Sequence, residues 1–377
     1  LLCQLNDKLC KVKVMIIGVP KEIKNNEFRV GLTPDSVKKL TAENHEVFIE
    51  ESAGAIIGFS DVDYENSGAK ILKSAKEIYE SSELIIKVKE PLPSEFKYLS
   101  KNNILFTYLH LAGNKDQSIK LANTGVTGIA YETVTANDGS LPLLSPMSSI
   151  AGQLSIIVGS YFLLKHNKGK GTLIGSVSDL EPRIITVIGA GVAGTEAIDK
   201  ALSNKAHVKI IELSDNRLNE LKDKFGNNNI EYIKSSPENI SDALKVSDIV
   251  VGSVYIVGKK APTVVTREMI SNMKPGSVMV DISIDQGGCF ETSKVTTHDN
   301  PTFLIDGVLH YCVANMPGSV PLTATEALNK VTLPYILDIA NKGLEKSIKD
   351  DKNLFNGLNI RDGEIVHKSV KESLERI

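Results

Sequence analysis

The chain has 377 residues, 42% of them hydrophobic and 24% charged, the balance of a soluble globular protein long enough for two domains. Its formal net charge is −3 and no long basic block interrupts it, which argues against nucleic acid as a partner. The cysteines Cys3, Cys10, Cys289 and Cys312 are too few and too scattered for a disulfide framework or a zinc site, so no metal is expected and a reducing, cytoplasmic compartment fits best.

The first residues, Leu1–Val14, mix Asp7, Lys8, Lys11 and Lys13 with apolar side chains and offer no signal-peptide core. Strand-like runs follow at Val12–Val19, Glu46–Glu50, Leu84–Val88 and Ile104–Leu109, each short, rich in Val and Ile, and separated by polar amphipathic stretches. The break Pro142–Pro146 precedes an apolar helix predicted over Ser148–His166. Its longest apolar run, Leu154–Leu164, falls far short of the roughly 20 residues of a membrane span. A polar, Gly-rich link, Asn167–Glu181, leads to further strands at Ile184–Ile188, Val208–Leu213, Asp248–Val251 and Val278–Ile284. Beyond Pro317 and Pro321, Thr323–Lys346 reads as a second long helix. This alternation predicts an α/β protein with doubly wound, mainly parallel sheets joined by long helices. The two long helices bracket a middle block, so residues 147–319 are expected as one domain inserted into another made of 1–146 and 320–377.

The strand Ile184–Ile188 runs into Gly189-Ala190-Gly191-Val192-Ala193-Gly194, and a helix-like run starts at Thr195. Gly189 permits the tight turn, Gly191 lets backbone approach a pyrophosphate, and Gly194 lets helix and strand pack closely. The helix N-terminus then offers free N–H groups to phosphate. Alone the motif is weak. Here it sits between strand and helix, and Glu212 closes the next strand near the roughly 20-residue spacing of a ribose-binding acid. A Rossmann-like dinucleotide domain follows, with NAD favoured over NADP because an acid would repel a 2′-phosphate. The alternative is an ordinary strand–turn–helix with a solvated Glu212.

Functional side chains of open α/β sheets gather at the carboxyl ends of strands. Lys89, His110 and Asp285 stand where three predicted strands end. Each has a plainer reading: a solvated Lys, a hydrogen-bonded structural His, an Asp serving the turn at Gly287-Gly288.

Several strings resemble one family. Gly18-Val19-Pro20-Lys21-Glu22 with Asn25–Val30, Lys87-Val88-Lys89-Glu90-Pro91, Leu105–His110, Ala130–Val134, Ser145–Ser148, Asp285–Glu291 and Tyr311–Pro317 are similar to alanine dehydrogenases, from about Met15 to beyond Pro334. The first fourteen residues have no counterpart there. The resemblance implies reversible, NAD-dependent oxidative deamination of L-alanine to pyruvate and ammonia. It places Arg29 and Lys89 as substrate-binding residues and His110 and Asp285 as catalytic ones. It also places Ser148, Gly189, Gly191, Gly194, Glu212, Arg217, Ser235, Val254, Asn315 and Met316 at the dinucleotide, and it implies a homo-oligomer, commonly a hexamer, with no membrane partner. One departure is Glu212, where the family usually has Asp; the extra methylene keeps the carboxylate but lengthens its reach. Other readings within reach of the same scaffold are the NAD(H)-binding part of a transhydrogenase, a saccharopine dehydrogenase acting on a bulkier amino acid, or an inactive NADH-binding protein.

Overall fold

A computed structural model describes residues 14–256 and 260–375; Cys3, Cys10 and the start of the expected strand Val12–Val19 lie outside the described residues. The chain divides into two compact units, one ending at Leu144 and resuming at Val320, the other spanning Ser145–Ser319. Among the described residues, the strands before Leu144 are β1 (Ile16–Val19), β2 (Glu46–Glu50), β3 (Lys70–Leu72), β4 (Leu84–Ile86), β5 (Ile104–Thr107) and β6 (Thr127–Ala130). The middle unit holds β7 (Ile184–Ile188), β8 (His207–Glu212), β9 (Ile230–Lys234), β10 (Ile249–Gly252), β11 (Val278–Asp281), β12 (Thr302–Ile305) and β13 (Val308–Tyr311). After Val320 come β14 (Leu358–Arg361) and β15 (Glu364–Ile365).

The first unit's sheet runs β15-β14-β6-β5-β4-β1-β2-β3. Strands β1 to β6 are parallel, and β14 joins antiparallel to β6. Every residue of β4 is buried, as a strand covered on both faces by helices must be. Chain direction across the sheet reverses at β1, which lies between β2 and β4. That switch point opens a crevice at the carboxyl ends of β1 and β4. The core of this unit draws on both ends of the chain, packing Ile85 and Leu105 with Ile360, Val370 and Leu374.

The second unit's sheet runs β12-β13-β11-β10-β7-β8-β9, and all neighbours are parallel except the β12–β13 hairpin. Its switch point lies between β7 and β10. Its core is separate, with Ile188, Val250, Met279 and Phe290 among the buried residues.

Three strands end two or three residues earlier than predicted, each because a carboxylate takes over the backbone donors. Strand β4 stops at Ile86 rather than Val88; the N–H groups of Val88 and Lys89 donate to Glu22. Strand β5 stops at Thr107 rather than Leu109; Leu109 and His110 donate to Glu132. Strand β11 stops at Asp281 rather than Ile284; the Asp281 carboxylate accepts from the Ser283 amide at 3.0 Å and starts the 3₁₀ turn Ile282–Gln286 that carries Asp285.

The apolar helix spans Ser145–Phe162, with His166 on a separate 3₁₀ turn. The late helix spans Pro321–Lys342; Gly343, at φ 77°, ends it and starts Leu344–Asp350 as a new helix. Among the described residues no helix is long and apolar enough to cross a membrane.

Candidate active site

In the first unit the predicted substrate residues Arg29 and Lys89 follow β1 and β4, the strands on the two sides of the switch point. The turn after β1 delivers Glu22, Glu27 and Arg29. Arg29 is buried, and Glu27 grips it twice, Nε to Oε1 at 2.7 Å and Nη2 to Oε2 at 2.5 Å. Burial alone would pull the guanidinium's pKa down; the paired carboxylate outweighs that and raises it. The segment behind it is tied down by the helix Pro321–Lys342, where Thr325 Oγ1 accepts from the Val30 amide at 3.3 Å and Asn329 Oδ1 from the Thr33 amide at 2.9 Å. Arg29 is therefore held rigidly before any anion arrives.

Lys89 follows β4 and is 5% exposed. Its Nζ lies 3.3 Å from His110 Nε2. His110 follows β5 and is an N-cap residue in left-handed backbone, φ 48°, a conformation that costs a non-glycine residue about 1–2 kcal/mol. Glu132, from the 3₁₀ turn after β6, accepts the His110 amide at 2.7 Å and lies 4.0 Å from its Nδ1. The imidazole also stacks on Tyr108, with rings 8° from parallel and 5.8 Å apart. Beside them Lys24 donates to Glu90 at 2.5 Å, while the other oxygen of Glu90 is buried and accepts no hydrogen bond. Burial pushes the Glu90 pKa up, but Lys89, His110 and Lys24 more than reverse this and hold it below the ordinary value. The Lys89 ammonium and the His110 imidazole, beyond the adjacent strands β4 and β5, can bind a carboxylate and move a proton next to it, and the clamped guanidinium in the loop after β1 is a further anion-binding group.

In the second unit the glycine loop fits a dinucleotide. Gly189 sits at φ 86°, and a Cβ on Gly194 would stand 2.0 Å from Gly189 O, so both positions exclude a side chain. A Cβ on Gly191 would meet nothing within 4 Å; it would fill the open space in front of the helix Val192–Ser203, whose N-terminus carries no side-chain cap. Glu212 ends β8, as predicted. Its Oε2 accepts the Ala190 amide at 2.9 Å and its Oε1 the Ser214 amide at 2.9 Å. Arg217 reaches back over the loop, Nε to Ala190 O at 2.9 Å and Nη2 to Thr195 Oγ1 at 2.8 Å. Ser235 lies just past β9 and Val254 just past β10, where Val254 O accepts from Ser283 Oγ at 2.8 Å. Asp285 is exposed, and its Oδ1 accepts the amide of Asn315 at 3.1 Å; Met316 follows, buried. Glu212, the glycine loop, Ser235, Val254, Asp285 and Asn315 thus share the carboxyl edge of one sheet. Ser148 is half-buried in the first turn of the helix Ser145–Phe162, one turn before Gly152, where an added Cβ would stand 2.1 Å from Ala193 O of the glycine loop.

The N-terminal domain model of the alanine dehydrogenase/PNT family matches residues 18–151, and its C-terminal domain model matches residues 155–368. The chain belongs to the alanine dehydrogenase/PNT family. The alanine dehydrogenase of Staphylococcus haemolyticus is 50% identical over 360 residues, covering 95% of this chain and 96% of that protein. A solved L-alanine dehydrogenase is similar with a TM-score of 0.91 at 45% identity, over 96% of this chain and 99% of that one. A transhydrogenase from Sinorhizobium meliloti is also similar, with a TM-score of 0.80 at 25% identity, covering 93% and 100% of the two chains.

In this alanine dehydrogenase/PNT family member the sequence reading missed the carboxylates that hold the site: Glu22, Glu27, Glu90 and Glu132. Their only sequence signal is an acid within a few residues of a strand end. Buried Lys87 had a clearer one, since a lysine in the apolar run Leu84–Val88 demands buried counter-charges.

Proposed function

We propose that the chain is an NAD-dependent alanine dehydrogenase, interconverting L-alanine with pyruvate and ammonia. The observation that carries the reading is the 3.3 Å approach of Lys89 Nζ to His110 Nε2, in the unit that also holds the Glu27-clamped Arg29. On this reading the domain of 1–146 and 320–377 binds the amino acid and the domain of 147–319 binds the nucleotide. Bound NAD supplies the hydride acceptor. Arg29 and Lys89 hold the alanine carboxylate, which fixes the direction of the Cα–H bond and saves the entropy of that alignment. Once the alanine ammonium has lost a proton to solvent, loss of hydride leaves an iminium at Cα, and Asp285, as the second catalytic group, stabilises its positive charge. His110 Nε2 takes a proton from water as its oxygen bonds to the imine carbon. The same imidazole returns the proton to nitrogen and then takes the hydroxyl proton as the C–N bond breaks, so that ammonia leaves and pyruvate remains under the Lys89 ammonium.

The glycine loop, Glu212, Arg217, Ser235, Val254, Asn315, Met316 and Ser148 are assigned to the dinucleotide. Assembly as a hexamer is assigned from the family resemblance; sedimentation velocity tests it. A cytoplasmic location is supported by the free thiols of Cys289 and Cys312.

The test is NAD⁺ reduction by the purified chain against a panel of L-amino acids. Strong turnover of alanine with little of lysine or glutamate is expected, and NADH binding without turnover of any would overturn the assignment. His110→Ala is expected to lower kcat by about two to four orders of magnitude with NADH affinity intact; a near-normal kcat would remove His110 from the mechanism.

A further inference from the structure

Close in sequence to Lys89 is a buried polar cluster of Lys87, Glu22, Glu95 and Tyr79. The side chain of Lys87, the residue after β4, is 0% exposed. Its Nζ donates to Glu22 Oε2 at 3.1 Å and to Glu95 Oε1 at 3.2 Å. Tyr79 donates its hydroxyl to the same Glu95 oxygen at 2.7 Å, and Glu95 Oε2 accepts the Leu92 amide at 2.7 Å. Glu22 uses its second oxygen differently: Oε1 accepts the Val88 amide at 2.7 Å and the Lys89 amide at 3.3 Å. One carboxylate therefore joins a buried ammonium to the backbone of the residue whose own ammonium reaches His110.

Stability does not explain this arrangement. Buried ion pairs are often no better than apolar residues of the same volume, and position 87 continues the fully buried run Leu84–Ile86. The cluster also has two carboxylates for one ammonium, and burial pushes the Glu22 pKa up while Lys87 pulls it back. Such a network is costly unless every member is satisfied, and when satisfied it fixes one geometry.

We propose that the Lys87–Glu22–Glu95–Tyr79 network is a positioning device for Lys89: by pinning the 88–89 backbone through Glu22 it sets affinity for the substrate carboxylate without touching substrate. The proposal rests on the reading of Lys89 as a substrate-binding residue. It assigns Glu22 and Lys87 as positioning residues that act as one unit.

The experiment is steady-state kinetics in the pyruvate-to-alanine direction on the full chain, comparing wild type with Lys87→Gln, Glu22→Gln, the double variant, Tyr79→Phe and Lys89→Gln. Each single change at 87 or 22 is expected to raise KM for pyruvate about tenfold or more while KM for NADH stays within about twofold. The double variant is expected to recover KM for pyruvate to within about threefold of wild type. There the side-chain carbonyl introduced at position 22 accepts the Val88 amide, while its NH₂ donates to the carboxamide introduced at position 87. Such coupling marks groups that work together. Tyr79→Phe, which removes one hydroxyl and leaves the charges, is expected to raise the same KM about two- to fivefold, and it carries the test if the variants at 87 or 22 fail to fold.

A role in stability alone would lower Tm and the active fraction but leave KM for pyruvate unchanged. That result, or a double variant no better than its parents, or an unchanged KM in Tyr79→Phe, overturns the proposal. Lys89→Gln separates the two ideas. If it is impaired and Lys87→Gln is not, the network role fails alone; if Lys89→Gln keeps the wild-type KM, the reading of Lys89 fails and takes the proposal with it.

Discussion

Glu212 spends one oxygen on the Ala190 amide and the other on Ser214. A carboxylate has about four lone-pair sites, so two backbone donors immobilise it and still leave acceptors for the two ribose hydroxyls of an adenosine. The extra methylene of Glu over Asp gives the side chain the reach to fold back onto the glycine loop. A 2′-phosphate beside that fixed charge would be repelled. Discrimination of at least about a hundredfold for NAD over NADP in kcat/KM is therefore expected, roughly 2.8 kcal/mol at about 1.4 kcal/mol per tenfold. Glu212→Ser is expected to weaken NAD use and raise the NADP/NAD ratio, measured with both cofactors at one ionic strength. An unchanged ratio would mean that the ribose is read elsewhere.

At the scale of the element, two glycines of one loop make separable demands. Gly194→Ala drives a Cβ against Gly189 O and Ser253 Oγ inside the strand–helix contact, and overpacking of this kind costs about 1–3 kcal/mol. Gly191 has φ −66° and open space around it, so Gly191→Ala should fold as wild type. Both variants are expected to lose NADH affinity by about tenfold or more, but only Gly194→Ala should lower Tm, since only there does protein oppose the new methyl. Equal Tm losses, or intact binding in Gly191→Ala, would contradict the assignment of that space to the pyrophosphate.

The glycine loop was legible in the sequence because all its requirements are local: strand, turn, helix and acid lie within β7 to β8. The continuous apolar strands were legible for the same reason, and β2 and β7 have the predicted bounds. Strands β3, β6, β9, β14 and β15 were passed over, being short or only partly apolar. The β12–β13 hairpin was missed although Asp306-Gly307, with φ 50° and 82°, spells its turn. In the site, Lys89 and His110 could be read from their places at strand ends. Glu22 and Glu132 could not, because what gives them meaning is an amide 66 or 22 residues away, brought close only by the sheet.

For the molecule as a whole, two units with separate cores should not melt as one two-state system. Differential scanning calorimetry is expected to give a van't Hoff enthalpy below the calorimetric one. NADH at about 100 times its Kd should stabilise the second unit by about 2.7 kcal/mol and move its transition alone. A single transition with matching enthalpies, shifted as a whole, would show the units to be thermodynamically inseparable.

The interrupted first unit also has a consequence for how the protein is born. Strand β6 is paired on its far side by β14, and Thr133 accepts from Asn359, 226 residues later. At about 5–20 residues per second, the ribosome needs roughly 10 to 45 seconds to supply that partner. Throughout this interval the nascent sheet ends in an unprotected edge, with Ile129 and Ala130, buried in the finished protein, awaiting their cover. The inserted unit, synthesised in the meantime, has its whole sheet in hand and can fold first. The nucleotide half can thus be complete on the ribosome while the amino-acid half is still open, and that open edge is where a chaperone would be needed.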